Sequence, residues 1–196
     1  MEKSNARRAI RVAVSGTHGV GKTTFCEDLA AALRDHRRGP YSVEVIKDVA
    51  RHLHAEGVPI NQGTADAQYA LFFERHVLNL CTHRSVDFVV FDRTIFDSIG
   101  YATANANLDK QWISFVKVLS TYLIERVDTY FYVPIEFSIV SDGVRATGLK
   151  YQEAVDRAMA EIIHECRPNV ISLSGTRSER VARALRAIRM PKRPRG

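Results

Sequence analysis

The chain alternates short, nearly continuous apolar runs with longer stretches in which apolar residues recur every three to four positions. The short runs are Ile10 to Val14, Val43 to Ile46, Phe88 to Phe91, Tyr130 to Val133 and Val170 to Leu173. They are too brief for helices and apolar on both faces, which is the pattern of strands buried in a parallel sheet. Helical periodicity predicts helices over Lys22 to about Arg34, Asp48 to Ala55, Thr64 to His83, Thr94 to Ala104, Lys110 to Arg126, Tyr151 to Cys166 and Ser178 to Ile188. Gly39-Pro40 and Gly57-Val58-Pro59 stop the first two. In the first helix Phe25, Leu29, Ala32 and Leu33 form the inward stripe; in the long third helix Phe73, Val77, Leu80 and Cys81 do so, while Gln68, Phe72 and Arg75 share another face. Strands alternating with helices predict an α/β, three-layer fold with a central five-stranded parallel sheet and helices on both faces. Ligands of such sheets bind at the carboxyl ends of the strands. The residues just past each strand therefore form one candidate list.

The first of these is the most specific. Gly16, Thr17, His18, Gly19, Val20, Gly21, Lys22 and Thr23 match G-x-x-x-x-G-K-[ST] at every fixed position, between a strand and a helix. Glycines let successive N–H groups turn inward around phosphate oxygens, and the following helix adds its positive end. The pattern predicts a P-loop NTPase fold that binds ATP, with Lys22 on the β- and γ-phosphates, Thr23 on Mg²⁺ and Thr24 alongside in the same turn.

The other strand ends add chemistry for an acceptor. Asp48 follows the second strand and precedes Arg51 by one helical turn; a carboxylate there can orient an acceptor hydroxyl and take its proton, while Arg51 holds a phosphate or polar group. Asp92 and Arg93 end the third strand, where Asp92 can hold Mg²⁺ or contact the acceptor and Arg93 can bind a phosphate. Which of Asp48 and Asp92 acts as base stays open. Asp97 stands at capping-box spacing from Thr94 and reads as a helix-start residue. Gln68 and Phe72 can read and stack on a planar heterocycle, whereas Tyr101 and Trp112 read as core. Pro134 to Gly148 is long for a connection and reads as a lid that carries Arg145 toward the transferring phosphoryl group.

Composition narrows the class. Cys26, Cys81 and Cys166 are odd in number and far apart, against a disulfide framework or zinc site, and fit a cytoplasmic protein. No run is long enough to span a membrane. The net charge of +6 concentrates at the ends, with +3 in residues 1–11 and +5 in 186–196 against −2 for 12–185; residues 1–9 and 190–196 read as basic tails around a domain at 10–189. Nucleic-acid contact through the tails is therefore an added function at most. A homodimer is compatible with the sequence. No N-K-x-D guanine reader or paired acids after the third strand are present, which argues against a GTPase switch and a mechanical ATPase.

Together the phosphate loop, Asp48-x-x-Arg51, Phe91-Asp92-Arg93-Thr94, Asp142-Gly143-Val144-Arg145 and Ser174-Gly175-Thr176 resemble the small P-loop kinases of the nucleoside and nucleotide kinase superfamily. Within it the chain most resembles an AAA ATPase/kinase family similar to the ribosylnicotinamide kinase domain of NAD-biosynthesis proteins. The resemblance implies ATP- and magnesium-dependent phosphoryl transfer to a small nucleoside-like or nucleotide-like acceptor, and implies that Gly175 and Thr176 lie against adenine. The alternatives are an NTP-binding regulatory ATPase, or a kinase of a polynucleotide end or other small metabolite. A single clear arginine in the lid leaves the acceptor's phosphorylation state open.

Overall fold

The computed structural model describes residues 8–37, 40–58, 60, 66–82, 84–105, 108–136, 149–166 and 169–191. Among these the order of elements is β1 (Ile10–Ser15), α1 (Lys22–Arg34), β2 (Val43–Ile46), α2 (Val49–Ala55), α3 (Asp66–Cys81), β3 (Phe88–Asp92), α4 (Ile95–Ala104), α5 (Lys110–Ile124), β4 (Thr129–Tyr132), α6 (Leu149–Cys166), β5 (Ile171–Ser172) and α7 (Arg177–Ala187). The strands form one sheet in the order β2-β3-β1-β4-β5. Every pairing is parallel, with Ile10 opposite Phe88 and Val12 opposite Thr129.

Alternation along the strands builds the three layers. Val12, Val14, Phe88, Val90 and Phe131 pack on one face with Phe25, Leu29 and Leu33 of α1 and Ala184 of α7. Ala13, Val89, Phe91 and Tyr130 point to the other face, against Phe96 and Ile99 of α4 and Val155, Met159 and Ile162 of α6. Burying both faces explains why the strands read as continuous apolar runs. A third, smaller cluster joins Val49 and Leu53 of α2, Tyr69 and Phe72 of α3 and Ala102 of α4.

Two helix faces differ from the sequence pattern. On α1 the buried positions include Cys26 and Ala30, while Ala32 is half-buried. On α3 the buried stripe is Tyr69, Phe72, His76 and Leu80; Phe73 and Val77 are half-buried against the main core, and Cys81 is exposed. The cause is that α3 lies between the main core and the third cluster, so its most covered side faces both.

Candidate active site

The phosphate loop follows β1 at the centre of the sheet. Gly16 has φ 149°, and a Cβ there would stand 2.4 Å from the Val133 carbonyl oxygen, so only glycine fits the approach to β4. Gly21 caps α1 in the left-handed region at φ 87° with no side chain on the first-turn N–H groups. Those donors are thus left for an anion. Lys22 is buried at 5% exposure and its ammonium donates to the Thr17 carbonyl, which folds the side chain back over the loop. Burial, reinforced by Arg93, lowers its pKa to about 7 against the partial compensation of Asp97, Asp92 and Asp48. A lysine held at this value without a ligand gains its full charge when phosphates replace the lost water.

Thr23 and Asp92 lie side by side. The Thr23 hydroxyl donates to Asp92 Oδ2 at 2.7 Å, and Asp92 Oδ1 is buried with no hydrogen-bond partner. A buried carboxylate oxygen without a donor is costly, and a hydrated Mg²⁺ would supply what it lacks. The pair therefore fits the ion: a threonine hydroxyl and one carboxylate are hard oxygen donors, and Mg²⁺ keeps most of its waters.

On the acceptor side β2 and β3 are neighbours in the sheet, so their ends bring Asp48 and Arg93 together. Arg93 Nε donates to Asp48 Oδ2 at 2.7 Å, both groups being largely buried. Arg93 also stands 3.8 Å from Asp97 Oδ1, and its guanidinium lies 5.4 Å from the centre of the Tyr101 ring. Burial works to lower the Arg93 pKa, but Tyr101, Asp48 and Asp97 together carry it above the ordinary value, so the cation is permanent. Arg93 adopts φ 79°, the one left-handed non-glycine among the described residues. Strain of this kind persists only where surrounding contacts enforce it, and it gathers at functional sites. Asp48 caps α2 by accepting from the Ala50 N–H at 3.0 Å, and Arg51, with its side chain exposed, approaches Asp48 Oδ2 at 4.0 Å.

Beneath the site runs a buried hydroxyl network that the sequence did not announce. Ser15 Oγ bonds Asp97 Oδ2, Tyr130 OH and Thr94 Oγ1, and Thr94 bonds Tyr130 at 2.7 Å. Thr94 and Asp97 also complete a reciprocal capping box on α4, which accords with the helix-start reading of Asp97. Asp97 is buried, and burial raises its pKa despite Arg93 and Lys22. Tyr101, read as core, has its hydroxyl on the His18 N–H at 3.1 Å and the His18 ring at 3.0 Å, while Gln152 of α6 donates to the His18 carbonyl at 2.8 Å. Ser15, Tyr101, Tyr130 and Gln152 come from four elements, and no local pattern marks them.

The remaining predicted residues divide. Gly175 and Thr176 line a cavity of about 470 Å³ with Gly19, Val20, Gly21 and Arg180. Gln68 is half-buried on α3, and Phe72 is buried edge-on to Tyr69 inside the third cluster. Thr24 borders a second cavity beside Gly21. Arg145 and residues 137–148 of the lid read over 134–148 lie outside the described residues, as do residues 1–7 and 192–196 of the tails.

Comparison with known proteins agrees with this fold. The AAA domain family model matches residues 11–180. No curated protein sequence matches significantly. Among solved structures, a NadR protein in complex with NR superposes with TM-score 0.67 at 16% identity, over 94% of this chain and 53% of that one. A deoxyadenosine kinase from M. mycoides gives 0.61 at 14% identity over 91% and 97%, and a thymidylate kinase from Candida albicans 0.57 at 14% over 92% and 91%. The chain spans about half the length of the NadR proteins it matches. These likenesses establish the P-loop α/β fold.

Proposed function

This chain belongs to the AAA domain family, and on that premise we propose that it transfers the γ-phosphoryl group of ATP to a hydroxyl or phosphate of a small nucleoside-like or nucleotide-like acceptor. The observation that carries this reading is the pairing of Asp48 with Arg93 at 2.7 Å beside the phosphate loop. A hydrolytic switch needs only a water beside the γ-phosphate; a buried carboxylate and guanidinium held together at neighbouring strand ends suit an organic acceptor. The deoxyadenosine and thymidylate kinases on which the chain superposes support the same class.

Each residue has a role consistent with its surroundings. The loop N–H groups and Lys22 bind the triphosphate, the lysine trading its bond to Thr17 for phosphate oxygens. Thr23 and Asp92 would hold Mg²⁺, which neutralises charge on the β- and γ-phosphates when bound. Asp48 orients the acceptor and takes its proton, and Arg93 binds the transferred or acceptor phosphate. Phosphoryl transfer depends on position and charge more than on covalent chemistry, so fixed groups suffice. The Ser15, Thr94, Asp97 and Tyr130 network fixes the turn that carries Arg93.

The test is a panel of nucleosides and nucleotides screened for acceptor-dependent ADP release, with Asp48→Asn and Asp92→Asn compared against the wild type. Each substitution should lower turnover by roughly 10² or more, the loss expected for an orienting base or a metal-binding carboxylate. Losses under about threefold in both would assign the carboxylates to structure.

A further inference from the structure

The cavity beside the phosphate loop has a carboxylate and a backbone donor side by side. Glu136, four residues past the end of β4, accepts from the Gly175 N–H at 2.9 Å through Oε1 and 3.2 Å through Oε2. Its Oε2 also accepts from Arg180 NH2 at 2.7 Å. Arg180 projects from α7 with its side chain 9% exposed and donates through NH1 to the Val20 carbonyl of the phosphate loop at 3.1 Å. Its Nε is buried and unpartnered. The chain of contacts runs from Gly175 through Glu136 and Arg180 to the loop that binds phosphates, and all four residues line the same cavity of about 470 Å³.

The geometry of these contacts decides what enters. Gly175 has φ 93°, a backbone that L side chains rarely adopt, and this conformation presents its N–H to Glu136. An acceptor atom on a heterocycle can take that N–H from the carboxylate. Glu136 does not then leave, because Arg180 still holds Oε2; the Arg180 contact likewise keeps its pKa below the ordinary carboxylate value, so it stays an acceptor-only anion. The pocket therefore presents a donor beside an acceptor, which fits a base edge whose ring nitrogen accepts and whose neighbouring amino group donates. Adenine has that pair at its ring nitrogen 1 and 6-amino group.

Resting on the ATP-dependent reading above, we propose that Glu136 reads the base of the phosphoryl donor, accepting the 6-amino group of adenine while Gly175 donates to the adjoining ring nitrogen, and that Arg180 positions Glu136 and ties the base pocket to the phosphate loop. Glu136 is thus a specificity-determining residue and Arg180 a positioning residue. A base without the amino group leaves a partly buried carboxylate facing apolar carbon, so part of its desolvation goes unrepaid.

Equilibrium dissociation constants of the whole protein for ATP and for purine riboside 5′-triphosphate, which lacks only the amino group, test this directly, with inorganic tripolyphosphate as the probe of the phosphate loop alone. The wild type should favour ATP by about 10-fold to 100-fold, as a hydrogen bond to a charged group implies. Glu136→Ala should lose that preference while binding tripolyphosphate as the wild type does, and Glu136→Gln, which keeps one acceptor oxygen, should retain part of it. Arg180→Lys should narrow the preference and also weaken tripolyphosphate, since it disturbs both ends of the chain. An equal preference in wild type and Glu136→Ala overturns the proposal, as does a preference for GTP that Glu136→Ala removes, because the carboxylate would then be serving the N–H groups of guanine. Failure to bind ATP and tripolyphosphate alike would instead sink the phosphate-loop reading on which the proposal rests.

Discussion

At Lys22 an ammonium sits where folding alone would not place it. Burial holds the ligand-free ammonium at a pKa of about 7, against an ordinary 10.5. A bound triphosphate stabilises the charged form and raises that value, so the complex binds more protons than its separate parts at any pH between the free and bound values. Nucleotide binding should therefore take up protons above pH 7, and affinity should fall as pH rises from 7 toward the ordinary lysine range. Calorimetry at pH 8 in two buffers of different ionisation enthalpy should register uptake of about one proton per nucleotide, and Lys22→Met none. Uptake missing from the wild type, or surviving in the variant, would place the linkage elsewhere. The phosphate loop was legible because all its chemistry lies in consecutive residues. Ser15, Tyr101, Tyr130 and Gln152 were not, since each is an ordinary residue type whose role comes from partners distant in sequence. Glu136 fell inside the segment read as a lid, and nothing local distinguishes it from a surface acid.

At the scale of elements, the turn from β3 into α4 carries Arg93, Thr94 and Asp97, with Arg93 proposed to bind the transferred or acceptor phosphate. The apolar run of β3 and the capping spacing of Thr94 and Asp97 both announced it, and the structure extends β3 to Asp92 and closes the capping box. The left-handed backbone of Arg93 was invisible to the sequence, because arginine gives no hint of a positive φ. That strain separates two losses which usually coincide. Arg93→Gly and Arg93→Ala both remove the guanidinium and should both lose turnover by roughly 10² or more, yet glycine accepts φ 79° freely and alanine does not. The glycine variant should be the more stable of the two by about 1 kcal/mol in denaturant unfolding. Equal stabilities would mean that the turn relaxes once the guanidinium is gone. Helix faces were less legible than helix spans: Cys81 and Ala32 satisfy a 3.6-residue stripe, but α3 is covered from two directions and α1 by the sheet and α7, which no single-helix pattern encodes.

For the whole molecule, the parallel sheet and the two-faced core followed from the alternation of elements, because burial of both sheet faces leaves an apolar run wherever a strand passes. The ends were read too broadly as tail. Met190 packs against the core face formed by α1 and α7, and Pro191 is buried, so the basic extension begins at residue 192. Removing 192–196 should leave turnover and thermal midpoint unchanged, whereas removing 190–196 should lower the midpoint by a few degrees through lost apolar burial; identical midpoints for the two truncations would return Met190 to the tail.

The central claim concerns where the γ-phosphoryl group goes. Incubating the protein with magnesium and ATP labelled at the γ-phosphate, with and without a pool of nucleosides and nucleotides, and separating the labelled products decides it. The account predicts label on an organic acceptor, formed only when the pool is present and absent with Lys22→Ala. Label released solely as inorganic phosphate, at a rate indifferent to every acceptor offered, would contradict it.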